Sequence, residues 1–180
     1  MSQGKPDHIT DQHLIHFGTI VQCFARHEVL IQEIMAAVSG ADVTSIRLLT
    51  SGLDFTEKQD ALFNLLRHRA VPLDRIEQIR TYLQMPRTYT ALRNDITHST
   101  WAEGRPQNAV RPIWLTHGPL TALKPVHDIG KGGKEFIEDY EDQVTYTLDD
   151  LQEIGGNLAR NYAEFRAYVT KVGLTSAAAA

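Results

Sequence analysis

The feature that most constrains this chain is an apolar stripe close to its start. Leu14, Phe17, Val21, Phe24, Ile31, Ile34 and Val38 recur at steps of three, four and seven, the spacing that gathers side chains on one face of an α-helix. It predicts a long amphipathic helix over about residues 10 to 38, stopped by Ser39-Gly40. Most of the later patterning is helical too. Thr56-Glu57-Lys58-Gln59 reads as a capping box that opens a second helix running to about Arg69. The piece between them, Val43 to Leu49, leans extended through its Val, Thr and Ile content.

Pro72 and Asp74 open a third helical region carrying Leu73, Ile76, Ile79 and Leu83. Pro86 lacks an N–H and crowds the preceding turn, which predicts a kink or break near Met85 and helix again through Tyr89, Leu92, Arg93 and Ile96. Four prolines and four glycines between Pro106 and Lys134 exclude a long helix there. Val110 to Leu115 and Gln143 to Thr147 could pair as a small hairpin. Thr147 or Asp149 then caps a last helix carrying Leu148, Leu151, Ile154, Leu158, Tyr162, Phe165 and Val169. Within it, Gly155-Gly156 either weakens the helix or lets a neighbouring backbone approach closely. The expected fold class is all-α: a bundle of four to five helices with a small hairpin or loop excursion before the last one. The expected organisation is a flexible N-terminus (1–9), one helical domain (10–172) with an insertion at 106–143, and a disordered tail (173–180).

Length and composition fit that reading. A chain of 180 residues, 42% hydrophobic and 22% charged, suits one domain with a core of its own. The formal charge of -4 argues against a protein that coats nucleic acid, since such affinity comes from neutralising many phosphates. It leaves room for a local basic site. Arg67, Arg69, Arg75, Arg80, Arg87 and Arg93 crowd the centre of the chain; they form either solvated helix faces or a convergence on an anionic ligand. The single cysteine, Cys23, lies inside an apolar pattern and reads as a small buried thiol. No signal peptide pattern and no run of about 18 apolar residues is present, so the expectation is a cytoplasmic protein with no membrane partner.

The chemistry-bearing stretch is LRNDITHSTW, residues 92 to 101. A bare arginine-to-histidine spacing means little with 12 arginines and 8 histidines in the chain. Requiring one of the 5 asparagines directly after the arginine lowers the chance expectation to about 0.015. The looser copy Arg111 to His117 is discounted, because Pro112 follows the arginine and no helix is expected there. On an ideal helix Asn94 and His98 share a face, about 40° apart, while Arg93 stands about 140° from His98. Thr97, Ser99 and Thr100 have side chains that compete for backbone partners and favour a helix end there, relaxing that constraint.

Arg93-Asn94-Asp95-Ile96-Thr97-His98, with Trp101 beyond it, resembles the R-x4-6-H motif of the HEPN superfamily (higher eukaryotes and prokaryotes nucleotide-binding domains). The order of helices and the excursion before the last one resemble that family over about residues 10 to 172. Pro86 and the 106–143 insertion depart from its pattern. The resemblance implies a metal-independent endoribonuclease that needs no cofactor and acts as a homodimer on RNA or a nucleotide. A toxin, defence or stress setting, with an antitoxin or defence partner protein, goes with it.

The residue types suit that reaction. A histidine with a pKa near 6.5 can take the ribose 2′-OH proton or give one to the leaving 5′-oxygen, which would be the role of His98. Arg93 can hold two phosphate oxygens and stabilise the charge that builds at phosphorus. Asn94 would orient His98 or the phosphate. Asp95, Thr97, Trp101 and Glu28 are the candidate substrate-binding or supporting residues, Glu28 as a carboxylate facing the motif from the first helix. Against these stand plainer readings: a site that binds without cutting, a helix C-terminal histidine favoured by the macrodipole, a packing role for Trp101 and a surface position for Glu28. His8, His13 and His16 lack a close Cys or carboxylate partner for a metal. Lys131-Gly132-Gly133-Lys134 is too short for a phosphate loop and reads as a turn. The alternative to the enzyme is a non-catalytic HEPN-like nucleotide-binding, RNA-binding or protein-interaction module.

Overall fold

A computed structural model describes residues 9–104, 108–113 and 145–175. In the described residues six helices pack around one core beside a small antiparallel sheet: α1 (Asp11–Ser39), α2 (Val43–Thr50), α3 (Phe55–His68), α4 (Leu73–Thr88), α5 (Thr90–His98), β1 (Thr100–Glu103), β2 (Ala109–Ile113), β3 (Tyr146–Thr147) and α6 (Leu148–Lys171). The chain is thus dominated by helix, as its patterning predicts, with one more helix than the four to five expected. Helix α1 is the spine: α2, α3, α5 and α6 all pack on it.

The buried stripe of α1 runs through Phe17, Ile20, Cys23, Phe24, His27, Leu30, Ile31 and Ile34. Leu14, expected on it, is instead 57% exposed. The first buried position is taken by His13, whose ring closes the helix start rather than awaiting a metal. Its Nδ1 accepts from the Thr10 backbone N–H at 3.1 Å and lies 2.8 Å from the Thr10 hydroxyl, and its Nε2 is 3.1 Å from the Asn108 carbonyl. Since a carbonyl only accepts, Nε2 is the donor in that contact. Among the described residues no group of His, Cys, Asp and Glu could hold a metal. Cys23 is buried, and that burial pushes its thiol pKa up.

At the far end of α1, Gly40 adopts the left-handed conformation (φ 79°) and its N–H reaches the Ala36 carbonyl, the stop expected of Ser39-Gly40. Arg69 then donates to the Ser39 carbonyl at 2.8 Å, so this central arginine serves a helix terminus.

Several local expectations are corrected. Val43 to Leu49 is helix, because the Asp42 side chain accepts from the Ser45 N–H at 2.9 Å and caps it; a good cap outweighs the modest extended preference of Val, Thr and Ile. Helix α3 starts two residues before the expected box: Asp54 and Glu57 exchange hydrogen bonds of 2.8 Å with each other's backbone N–H, and this register buries Phe55, Lys58 and Gln59. Pro86 lies inside α4, and the break comes three residues later at Tyr89 (φ -100°, ψ 13°). In the turn before Pro86 the Leu83 carbonyl accepts from Gln59 Nε2 at 3.3 Å, a bond between α3 and α4.

The expected hairpin is the β2–β3 pair, with Val110 opposite Tyr146 and Ala109 opposite Thr147; residues 114–115 and 143–144 of the proposed segments, and most of the 106–143 insertion, lie outside the described residues. The third strand, β1, was not foreseen; it pairs Trp101 with Pro112 and Glu103 with Val110. Thr147 caps α6 in a reciprocal box with Asp150. Gly155 permits a close helix crossing, since a Cβ there would sit 3.2 Å from Thr19 Cγ2. Residues 173–175, expected in the disordered tail, are instead held to the end of α6. Gly173 (φ 73°) donates to the Thr170 carbonyl and Leu174 to that of Val169, a Schellman turn that buries Leu174 and Thr175. Ile9 likewise packs against the core; residues 1–8 and 176–180 lie outside the described residues. No single helix among the described residues is long and apolar enough to cross a membrane.

Candidate functional site

Helix α5 is short, and it carries the whole arginine-to-histidine motif on its last turns. It ends at His98, with Ser99 extended (φ -103°, ψ 153°) and its N–H bonded to the Asp95 carbonyl at 2.9 Å. The helix end expected at this point is therefore present. Leu92 is buried in the core and fixes the rotation of α5 on α1, which brings Arg93 toward Glu28.

There the site is organised by one carboxylate. Glu28 Oε2 accepts from Lys58 Nζ at 2.7 Å, and Glu28 Oε1 accepts from Arg93 Nη2 at 3.3 Å. The side chains are 18% exposed for Glu28, 9% for Lys58 and 31% for Arg93, so water screens this pairing only partly. Arg93 Nη1 also donates to Asn94 Oδ1 at 3.0 Å. Three helices thus meet through side chains: Glu28 from α1, Lys58 from α3, and Arg93 with Asn94 from α5. One carboxylate against two cations leaves a positive charge in excess, and two of the Arg93 N–H groups are used while the others remain available.

The other sequence-predicted residues are placed less uniformly. His98 is exposed at the end of α5, and among the described residues no hydrogen bond joins it to Arg93 or Asn94. Thr97 is exposed, but its hydroxyl turns back to the Arg93 and Asn94 carbonyls, both at 3.1 Å, so it serves its own helix before any ligand. Asp95 is half-buried.

Trp101 does not belong to a binding surface. It is 4% exposed and packs its ring on Phe17, centroids 4.5 Å apart, and near Tyr146 at 6.3 Å. Its indole N–H has no partner among the described residues. The physical reason is the unforeseen strand β1, which turns the residue after the motif inward against α1.

Two residues beneath the site were missed from sequence. Lys58 occupies a core-facing position of α3, among Phe55, Leu62 and Leu66; a lone lysine in an apolar stripe is the signal that a buried anion waits for it. His27, next to Glu28, is fully buried, with Nδ1 2.8 Å from the Cys23 carbonyl and Nε2 3.0 Å from the Asn161 side-chain amide. Burial holds its pKa below the usual histidine value, against two hydrogen bonds that raise it. Nδ1 faces an acceptor, the Cys23 carbonyl, and Nε2 faces a second, Asn161 Oδ1. His27 therefore ties α1 to α6.

Comparisons with known proteins returned no matching family model, no matching curated protein and no matching solved structure.

Proposed function

We propose that this chain is a HEPN-like, metal-independent endoribonuclease that acts as a homodimer, with Arg93, Asn94 and His98 at the reacting phosphate. The observation that carries the reading is the brace on Arg93: a carboxylate shared with Lys58 fixes the guanidinium while leaving a positive charge in excess. A guanidinium oriented beforehand can stabilise the charge of a phosphorane without reorganising during the reaction. In this reaction the 2′-oxygen attacks the adjacent phosphorus and the 5′-oxygen leaves. One proton comes off the 2′-OH and one goes to the departing oxygen, giving a 2′,3′-cyclic phosphate and a 5′-OH. A single histidine does not reach both sides of phosphorus in one pass. A two-fold dimer supplies His98 and its symmetry mate, and the exposure of His98 suits a group that works across such an interface. The setting in this reading is a toxin, defence or stress system with a partner protein.

A second reading is favoured by one observation: Arg93 turns toward Glu28 and makes no hydrogen bond to His98 among the described residues. In that reading the same surface is a HEPN-like binding or interaction module without catalysis. Purified protein incubated with mixed RNA in EDTA, beside Arg93→Ala and His98→Ala, separates the two. Cleavage by the wild type and its loss in both variants is the result expected of the enzyme. Intact RNA in every tube, from a protein that is folded and dimeric, selects the module.

A further inference from the structure

We propose that the groove between α3 and α4 binds the phosphate backbone of single-stranded RNA, at a place separate from Arg93 and His98. The proposal deepens the ribonuclease reading and rests on it for the identity of the polymer. The groove encloses about 410 Å3 and is lined by Arg67 from α3 and by Arg80 and Arg87 from α4, a volume in the range of ligand pockets. Arg80 and Arg87 are seven residues apart, two turns of helix and about 10.5 Å of rise, so both point from one face. Three arginines gathered in one concavity of a chain whose net charge is -4 concentrate positive potential where the protein as a whole offers none.

The cations are held ready. The Arg80 guanidinium lies over the Phe63 ring, 5.0 Å from its centroid, with Nε 3.6 Å from Glu77. Arg67 donates to Asn64 Oδ1 at 3.4 Å. Among the described residues neither Arg67 nor Arg87 is ion-paired with a carboxylate. Ordered guanidinium groups with spare N–H donors match phosphate oxygens.

The rest of the lining chooses among polyanions. Asn64, Gln84 and Asp60 face the same groove. Amides offer both donors and acceptors, and a carboxylate only accepts. Base edges carry amino donors and ring acceptors that such groups read, whereas the carboxylates of an acidic peptide only accept. Position also fits. Gln59, at the groove, follows Lys58 on the turn of α3 that braces Glu28 and, through it, Arg93. Groove and brace thus share one turn of α3.

The test is fluorescence anisotropy with a labelled 2′-O-methyl oligoribonucleotide of mixed sequence, which lacks the attacking hydroxyl and is not cut. Arg67→Gln, Arg80→Gln, Arg87→Gln and the triple variant are compared with the wild type and with Arg47→Gln, an exposed arginine of α2 outside the groove, and thermal melts show that each is folded. Each single variant is expected to weaken binding several-fold. The slope of log affinity against log salt should fall by about 0.7 per lost phosphate contact, or about 2 in the triple variant, and Arg47→Gln should bind as the wild type does. A folded triple variant with wild-type affinity and slope overturns the proposal. So does displacement of the oligonucleotide by polyglutamate as readily as by unlabelled oligonucleotide. RNA cleavage by the triple variant with unchanged KM sinks the groove and leaves the ribonuclease standing; groove-dependent binding by a protein that cuts nothing does the reverse.

Discussion

Glu28 shows how one residue can set both stability and chemistry at this site. It faces two cations, and Lys58, with a side chain only 9% exposed, has Glu28 as its counter-ion. Glu28→Gln keeps the shape and removes the charge, leaving a mostly buried ammonium unpaired. The expected loss is about 3 kcal/mol in a denaturant titration. Adding Lys58→Met should restore most of it, because an apolar replacement removes the stranded charge. Under the proposed ribonuclease reading, recovery of stability without recovery of RNA cleavage would separate the bracing of Arg93 from the folding role. His27 makes a prediction of a different kind. Burial depresses its folded pKa, so below about pH 6.5 the unfolded chain takes up a proton that the folded chain refuses. The His27 contribution is therefore complete above that pH, is lost as the pH falls toward the depressed folded value, and changes no further below it. Urea midpoints measured across that window should fall with pH in the wild type and lose that component in His27→Gln.

At the scale of elements, the turn after α3 is strained in a way that can be relieved. Ala70 holds a left-handed conformation (φ 52°), with its N–H on the Arg67 carbonyl and the Val71 N–H on that of Leu66. A side chain at that position opposes the left-handed region, so Ala70→Gly should raise stability by about 1 kcal/mol or less, the strain relief outweighing the added backbone entropy of glycine. The α1–α6 crossing should respond in the other direction. Gly155→Leu places a side chain where even a Cβ meets Thr19 at 3.2 Å, and a loss of about 2 kcal/mol is expected from the forced separation of the helices. An increase in melting temperature would contradict the crossing described. These elements also mark what the sequence could reveal. The long helices α1, α4 and α6 were legible because periodicity persists over many turns. Helix α2 was not, since its eight residues carry too few repeats and its decisive feature is a single Asp42 cap. Strand β1 was hidden for a related reason: four residues become strand only when β2 is beside them.

For the whole molecule, the motif was legible and its brace was half legible. Arg93, Asn94 and His98 are contiguous enough to stand above chance, whereas Lys58 joins them only because α3 packs on α1, a relation no local pattern records. Of the two readings of Trp101, binding and packing, its burial against Phe17 and Tyr146 matches the packing one. One copy of the chain gathers a braced arginine and an exposed histidine, half of what an acid-base displacement at phosphorus uses. The most direct measurement of that claim is the chemistry of the ends made in EDTA, by 31P NMR and mass spectrometry, from an RNA and from its twin with a single 2′-deoxy at the cleavage position. The expected result is a 2′,3′-cyclic phosphate and a 5′-OH from the RNA, with the deoxy twin uncut at that position and no products from His98→Ala. Cleavage of the deoxy twin, 5′-phosphate ends, or undiminished products from His98→Ala would contradict it.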